Sequence, residues 1–122
     1  IVPVAVSGPF HTSLMKPAGD KLAERFKSEK FGDMSFPVLF NATGKELEDG
    51  VSIACMLEKQ VQSSVYFEDS IKYMIDKGVD TFIEIGPGKT LSGFVKKIDR
   101  SLTTYSVEDV DSLNALFEAL GV

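Results

Sequence analysis

The sequence is poor in the residues that build disulfides and metal sites. Its 122 residues include one cysteine, Cys55, one histidine, His11, and no tryptophan. A single cysteine allows no internal disulfide or Cys-x-x-Cys zinc site, and a single histidine excludes a histidine-rich site, so we predict no metal. No apolar run approaches the about 18 residues of a membrane-spanning helix, and we expect no membrane partner. The low cysteine content and the lack of a leader pattern favour a cytoplasmic protein.

Positive charge is also scarce. Lys and Arg number 13 against 18 Asp and Glu, which gives a formal net charge of −5. Because nucleic-acid recognition depends on Lys and Arg side chains that meet phosphates, this balance argues against a nucleic-acid partner. An apolar content of 43% and a charged content of 25% are typical of one globular domain. An initiator methionine is missing and Ile1 opens a strand-like run, so we expect a piece of a longer protein.

Apolar periodicity predicts strands and helices that alternate along the chain. Strands are predicted at residues 1–6, 36–41, 79–85 and 103–107, and helices at 51–62, 67–77, 89–100 and 109–120. An earlier helix, capped by Thr12 or Ser13 and reaching Phe26, has Pro17 in its first turn, where a missing N–H costs nothing. The alternation favours an α/β fold with a mostly parallel sheet and flanking helices. Chemistry in such sheets gathers beyond the carboxyl ends of strands, which selects the loops at 7–13 and 86–89.

Gly88, Lys89 and Thr90 follow a predicted strand and open a predicted helix, as in a phosphate-binding loop. That signature also needs a glycine five residues before Gly88, and Ile83 occupies this position. A nucleotide-triphosphate site is therefore disfavoured. Gly86 and Gly88 are better explained by a sharp turn, although a helix N-terminus there would favour an anion.

His11 lies between a predicted strand and a predicted helix cap. Histidine is the side chain whose ordinary pKa suits general acid–base catalysis near neutral pH. A histidine that merely lies in a surface loop is the alternative that this position alone leaves open. The sequence contains no Gly-x-Ser-x-Gly nucleophile pattern. If His11 is a catalytic base, its nucleophile lies in another stretch of polypeptide.

Four segments, in this order, resemble the bacterial malonyl-CoA:acyl carrier protein transacylases. They are residues 7–18 (SGPFHTSLMKPA), 37–41 (PVLFN), 57–60 with 65–67 (LEKQ and VYF), and 83–93 (IEIGPGKTLSG). The similarity covers nearly the whole chain, and the shared order of the segments makes it specific.

The resemblance implies a fold and a reaction. Residues 8–122 would form the carboxyl-terminal part of an α/β-hydrolase-like acyltransferase core, and residues 1–7 the end of an inserted ferredoxin-like subdomain or a crossover strand. The family moves a malonyl group from malonyl-CoA to the phosphopantetheine thiol of acyl carrier protein through an acyl-serine; the coenzyme A thioester is a substrate, and no cofactor is implied. The family's serine, malonyl-binding arginine and oxyanion-hole glutamine precede this segment. We therefore expect the missing amino-terminal part of the same enzyme as a partner, and no activity from this chain alone.

The resemblance also assigns residues. His11 would be the general base that takes the serine proton, and the backbone carbonyl of Gln60 would accept a hydrogen bond from the Nδ1 atom of His11. Phe10 would fill the space that the α-methyl group of a branched extender unit needs. Asn41 is similar to a polar position near the family's active site and would support substrate binding.

Two alternatives to a free-standing fatty-acid enzyme stay open at this point. One is the equivalent piece of a polyketide-synthase acyltransferase domain, and the other is a non-catalytic α/β interaction module. Lys89, Lys96 and Arg100 share one face of the predicted helix at 89–100, with Lys97 adjacent. That face is either a docking surface for an acidic carrier protein or coenzyme A phosphates, or a plain solvated face.

Overall fold

The structure is a computed structural model that describes residues 8–122. The chain forms two compact units, Ile1–Ser70 and Ile71–Val122. The strand predicted at 1–6 and the boundary predicted after residue 7 lie outside the described residues, so both stay predictions. None of the helices in the described part of the chain is long and apolar enough to cross a membrane.

The first unit begins with a 3₁₀ helix, Ser13–Met15, which leads into helix α1, Lys16–Phe26. Thr12 caps this start, because its Oγ1 accepts a hydrogen bond from the Leu14 N–H at 3.3 Å. Pro17 lies in the first turn of α1, as predicted, where the helix needs no N–H donor.

Helix α2, Ile53–Val61, begins where the Ser52 Oγ accepts a hydrogen bond from the Cys55 N–H at 3.2 Å. It packs against α1. Gly19 of α1 is buried, and a Cβ at this residue would lie 3.0 Å from the Nε2 of Gln62, just beyond the end of α2. The absence of a side chain at Gly19 therefore lets the end of α2 approach α1 closely.

The strand predicted at 36–41 is wrong. Within the described residues, Phe40 makes only an isolated antiparallel bridge with Lys45, and its N–H donates to the Lys45 carbonyl at 2.9 Å. The Phe40 carbonyl accepts a hydrogen bond from the Gly44 N–H at 2.8 Å, so the chain turns tightly after Phe40. Pro37 has no N–H to donate to a strand ladder. The apolar run reflects burial of Phe40 in the core rather than sheet formation.

The core of the first unit gathers around this turn. Phe40, Ala42 and Met56 form a buried cluster, and four partly buried apolar residues pack against it: Val38, Leu47, Val51 and Leu57. Burial of one large apolar side chain stabilises a fold by about 1.5–3 kcal/mol. Since Met56 belongs to α2, the cluster fixes the turn after Phe40 to that helix.

The remaining elements follow in the predicted order. They are α3 (Phe67–Asp76), β1 (Thr81–Ile85), α4 (Thr90–Ile98), β2 (Thr103–Val107) and α5 (Val110–Leu120). The boundary between the units falls within α3. Strands β1 and β2 pair in parallel, with Ile83 opposite Tyr105, and both α4 and α5 pack on β2. The predicted α/β arrangement with a parallel sheet is confirmed for this unit, whereas the hydrolase-like core and the ferredoxin-like insert stay predictions.

Candidate functional site

His11 lies in the loop that precedes the 3₁₀ helix, and its backbone is unusual. Its φ of +60° is the one left-handed value that any non-glycine residue adopts in the described part of the chain. The turn around it is closed by the Thr12 Oγ1, which donates to the Pro9 carbonyl at 2.7 Å. A left-handed backbone at a residue other than glycine costs on the order of 1 kcal/mol or more and is concentrated at functional sites.

The His11 ring meets the carboxyl-terminal end of α2. Its Nδ1 lies 3.0 Å from the backbone carbonyl oxygen of Gln60, 49 residues away in sequence. Gln60 is in the last turn of α2, where carbonyls have no partner within the helix. Since a carbonyl only accepts hydrogen bonds, Nδ1 must carry the proton, and Nε2 of the neutral ring keeps its lone pair. The geometry brings together the two residues that the resemblance paired and leaves Nε2 as the basic atom.

Asn41 lies in the turn after Phe40 and is held through its backbone. Its N–H donates to the side-chain Oε1 of Gln60 at 2.6 Å, and its carbonyl accepts a hydrogen bond from the Tyr66 N–H at 2.9 Å. Gln60 therefore contacts both His11 and Asn41, with two different acceptor atoms. Sequence reasoning assigned only the backbone carbonyl of Gln60. Nothing in the sequence pattern indicated the side-chain contact, because it joins segments 19 residues apart.

Phe10 precedes His11 and stands largely in solvent, with 61% of its surface exposed. Its ring lies over the backbone of Gly8, where an added Cβ would come within 3.2 Å of the ring's Cε2 atom. Leu14, on the other side of His11 in sequence, is 73% exposed. His11 is thus flanked in sequence by two large apolar side chains at the surface of the first unit.

Backbone N–H groups in and just after the second predicted loop, at 86–89, donate to carboxylates of the same unit. The carboxylate of Glu84 accepts hydrogen bonds from the Leu91 and Ser92 N–H groups, at 3.1 and 2.7 Å, at the N-terminus of α4. These bonds, those from Ser92 first, hold the pKa of Glu84 below its ordinary value. The Gly88 N–H donates to Glu108 at 3.0 Å. The anion at this helix N-terminus is therefore the carboxylate of Glu84, which belongs to the same unit.

The predicted basic face of α4 is only partly available to a partner. The Lys96 ammonium donates to the backbone carbonyls of Leu102 and, at 3.4 Å, of Arg100, so it ties the segment after α4 back to the helix. Lys89, Lys97 and Arg100 are exposed. Lys96 is exposed as well, but its ammonium is engaged by these two carbonyls, so the other three side chains are the candidates for contact with a partner.

No three His, Cys, Asp or Glu side chains within residues 8–122 are grouped so that they could hold a metal ion. The His11 site instead combines the His11 imidazole, the Gln60 backbone carbonyl and the Asn41 peptide group. Such an arrangement is suited to proton transfer at the Nε2 atom of His11.

Comparison with known proteins gives one consistent result. No protein-family model matches the chain. A malonyl CoA-acyl carrier protein transacylase of Bacillus subtilis (strain 168) is 44% identical over 119 residues, covering 98% of this chain and 38% of that protein. The crystal structure of a malonyl CoA-acyl carrier protein transacylase from Clostridium perfringens superimposes with a TM-score of 0.91 at 41% identity, over 98% of this chain and 38% of that one.

A third similar structure was solved with a bound protein. It is a malonyl-transacylase in complex with a type II PKS acyl-carrier protein, and it superimposes with a TM-score of 0.87 at 36% identity, over 97% of this chain. The present chain spans 38% of the length of each of these three relatives.

Proposed function

This chain is a homologue of the malonyl CoA-acyl carrier protein transacylases over almost its entire length, and from that premise we propose that it carries the general base of such an enzyme. The whole enzyme moves a malonyl group from malonyl-CoA to the phosphopantetheine thiol of acyl carrier protein. One observation carries the proposal: the His11 Nδ1 is 3.0 Å from the Gln60 carbonyl, which keeps Nε2 free to accept a proton.

The proposed reaction has two transfers. In the first, Nε2 of His11 takes the proton of a serine hydroxyl while the serine oxygen attacks the malonyl thioester carbonyl. The carbon–sulfur bond to coenzyme A breaks, and the thiolate leaves with the proton that His11 gives back. In the second, His11 takes the proton of the carrier protein's thiol, whose sulfur attacks the acyl-serine, and returns that proton to the serine.

The serine must come from outside this sequence, which contains no Gly-x-Ser-x-Gly pattern. The amino-terminal part of the same enzyme is therefore a proposed partner. We expect the 122-residue chain alone to form no malonyl-enzyme when it is incubated with malonyl-CoA. Intact mass spectrometry checks this, and a mass increase of one malonyl group would contradict the proposal.

Phe10 and Asn41 are the proposed substrate contacts. The Phe10 ring is exposed beside the base, and a bulky ring there would occupy the space that an α-methyl group needs. Asn41 is exposed and is tied by its backbone to the same glutamine as His11. Both residues belong to the first unit. Phe10 precedes His11 in sequence, and Asn41 is linked to His11 through Gln60.

Acyl carrier protein is the proposed macromolecular partner. The support is the similar malonyl-transacylase solved with a bound carrier protein, together with the exposed cations Lys89, Lys97 and Arg100. Because that carrier protein is of the type II PKS class, delivery to a polyketide carrier protein is the second candidate function. The ratio of kcat/KM for a fatty-acid carrier protein and a polyketide carrier protein separates the two.

The test of the proposed function is a substitution of His11 in a full-length protein that carries this sequence. Asn tolerates a left-handed backbone better than most residues, so His11→Asn keeps the loop while it removes the base. We expect kcat for malonyl transfer to fall by about 10²- to 10⁴-fold. A variant that keeps its circular dichroism spectrum and at least a third of wild-type kcat would refute the role of His11.

A further inference from the structure

Gln60 makes a contact that the proposed reaction does not use. Its backbone carbonyl holds His11 at 3.0 Å, while its side-chain Oε1 accepts the Asn41 N–H at 2.6 Å. The Asn41 carbonyl is held in turn by the Tyr66 N–H at 2.9 Å. The N–H and the carbonyl of Asn41 are thus both hydrogen-bonded, and the bond made by the N–H depends on the Gln60 side chain.

The position of Gln60 makes the side-chain bond consequential. Gln60 is in the last turn of α2, where carbonyls lack a partner within the helix, and helix ends fray. The carbonyl that orients His11 belongs to this last turn. The bond from Oε1 ties the turn to Asn41, which lies between the buried residues Phe40 and Ala42 of the core cluster. The Gln60 backbone is therefore anchored to the core at the point where it meets the His11 ring.

We propose that the Gln60 side chain is a positioning residue for His11. By accepting the Asn41 N–H, it fixes the Gln60 carbonyl in place, and so fixes the direction of the His11 ring and the backbone of Asn41 together. The inference rests on the proposed role of His11 as the base. It predicts a loss of kcat larger than any change in KM, because the His11 ring is misdirected while Asn41 keeps the hydrogen bond from the Tyr66 N–H to its carbonyl.

The test uses Gln60→Met and Gln60→Glu in the full-length protein. Methionine keeps the length and helix preference of the side chain but accepts no strong hydrogen bond, whereas glutamate keeps an oxygen acceptor for the Asn41 N–H. We expect Gln60→Met to lower kcat about tenfold with KM for malonyl-CoA changed by less than about twofold, and Gln60→Glu to stay within about threefold of wild type. Gln62→Met is the matched control, since Gln62 lies beside Gly19 rather than Asn41, and it should behave as wild type.

A second readout does not depend on turnover. In the full-length protein with ¹⁵N-labelled histidine, the His11 signals are assigned by their loss in His11→Asn. Wild type and Gln60→Glu should show one neutral tautomer with the proton on Nδ1, and Gln60→Met a mixture of tautomers. An unchanged imidazole spectrum and kcat in Gln60→Met, or an equal loss of kcat in Gln60→Met and Gln60→Glu, overturns the positioning role. Normal turnover of His11→Asn would instead overturn the proposed function, so the two failures are distinguishable.

Discussion

Replacement of Gly44 by alanine tests whether the turn after Phe40 is as closely packed as the site requires. Gly44 is buried, has a φ of +68°, and donates its N–H to the Phe40 carbonyl at 2.8 Å. A Cβ at this residue would lie 2.8 Å from the Asp69 Cβ, 3.1 Å from the Tyr66 carbonyl oxygen and 3.3 Å from the Ser70 nitrogen. Two of these neighbours are backbone atoms, which cannot rotate away as the end of a long side chain can.

The expected cost has two parts. A left-handed backbone costs an alanine about 1–2 kcal/mol, and forcing a methyl group into a packed site costs about 1–3 kcal/mol more. Gly44→Ala should therefore lower the free energy of unfolding by about 2–5 kcal/mol. Gly50 is the matched control: its φ is +79°, and no atom lies within 4 Å of an added Cβ. Gly50→Ala should show only the backbone part, about 1–2 kcal/mol.

The two variants are compared with wild type in the full-length protein by urea unfolding, followed by far-ultraviolet circular dichroism. If the slope against urea is unchanged, the shift in midpoint reports the change in stability directly. The difference between the two variants isolates the steric part from the backbone part. Equal losses for Gly44→Ala and Gly50→Ala, within about 0.5 kcal/mol, would refute the close packing of this turn.

Three further predictions concern specificity, docking and pH. Phe10→Ser should raise kcat/KM for methylmalonyl-CoA relative to malonyl-CoA by about tenfold, as expected for one methyl group in an apolar pocket, and an unchanged ratio would contradict the steric role. Charge reversal of Lys97 and Arg100 together should raise KM for the carrier protein at low salt with little effect on melting temperature. Lys96→Met should instead lower the melting temperature, because it releases the segment after α4 that Lys96 holds through the Leu102 and Arg100 carbonyls; the opposite pattern would show that Lys96 is the docking cation. The folded pKa of Glu84 is below its ordinary value of 4.5, so its contribution to stability is complete above that pH and is lost as the pH falls through the folded pKa. The urea midpoint of wild type should therefore exceed that of Glu84→Gln at pH 7, and this difference should disappear in acid. A midpoint difference that is constant with pH would count against the Glu84 cap.

The sequence was sufficient where structure depends on local pattern. The strand at 103–107 was predicted with the bounds it has, and the helix predicted at 51–62 is α2, Ile53–Val61, because both follow apolar periodicity between clear end signals. The prediction failed at 36–41, where an apolar run enters the core through a turn. Periodicity reports burial, and burial alone does not distinguish a strand from a buried turn.

The site was predictable only in part, for a related reason. His11 could be proposed from its residue type and its position after a predicted strand, and the resemblance supplied the carbonyl of Gln60. The second contact of Gln60, and the contact of the Lys96 ammonium with the Leu102 carbonyl beyond α4, depend on how separate segments meet in space. No local sequence pattern predicts such contacts, so both roles became visible only in the folded structure.

The carboxylate of Glu84 at the start of α4 limits what protein engineering can make of this loop. Ile83→Gly would complete the letters of a nucleotide-binding signature around Gly88 and Lys89. A phosphate at this loop would nevertheless meet the Leu91 and Ser92 N–H groups already bonded to Glu84, and the negative charge of that carboxylate. An engineered nucleotide site here would therefore require replacement of Glu84, and that replacement would weaken the N-terminus of α4.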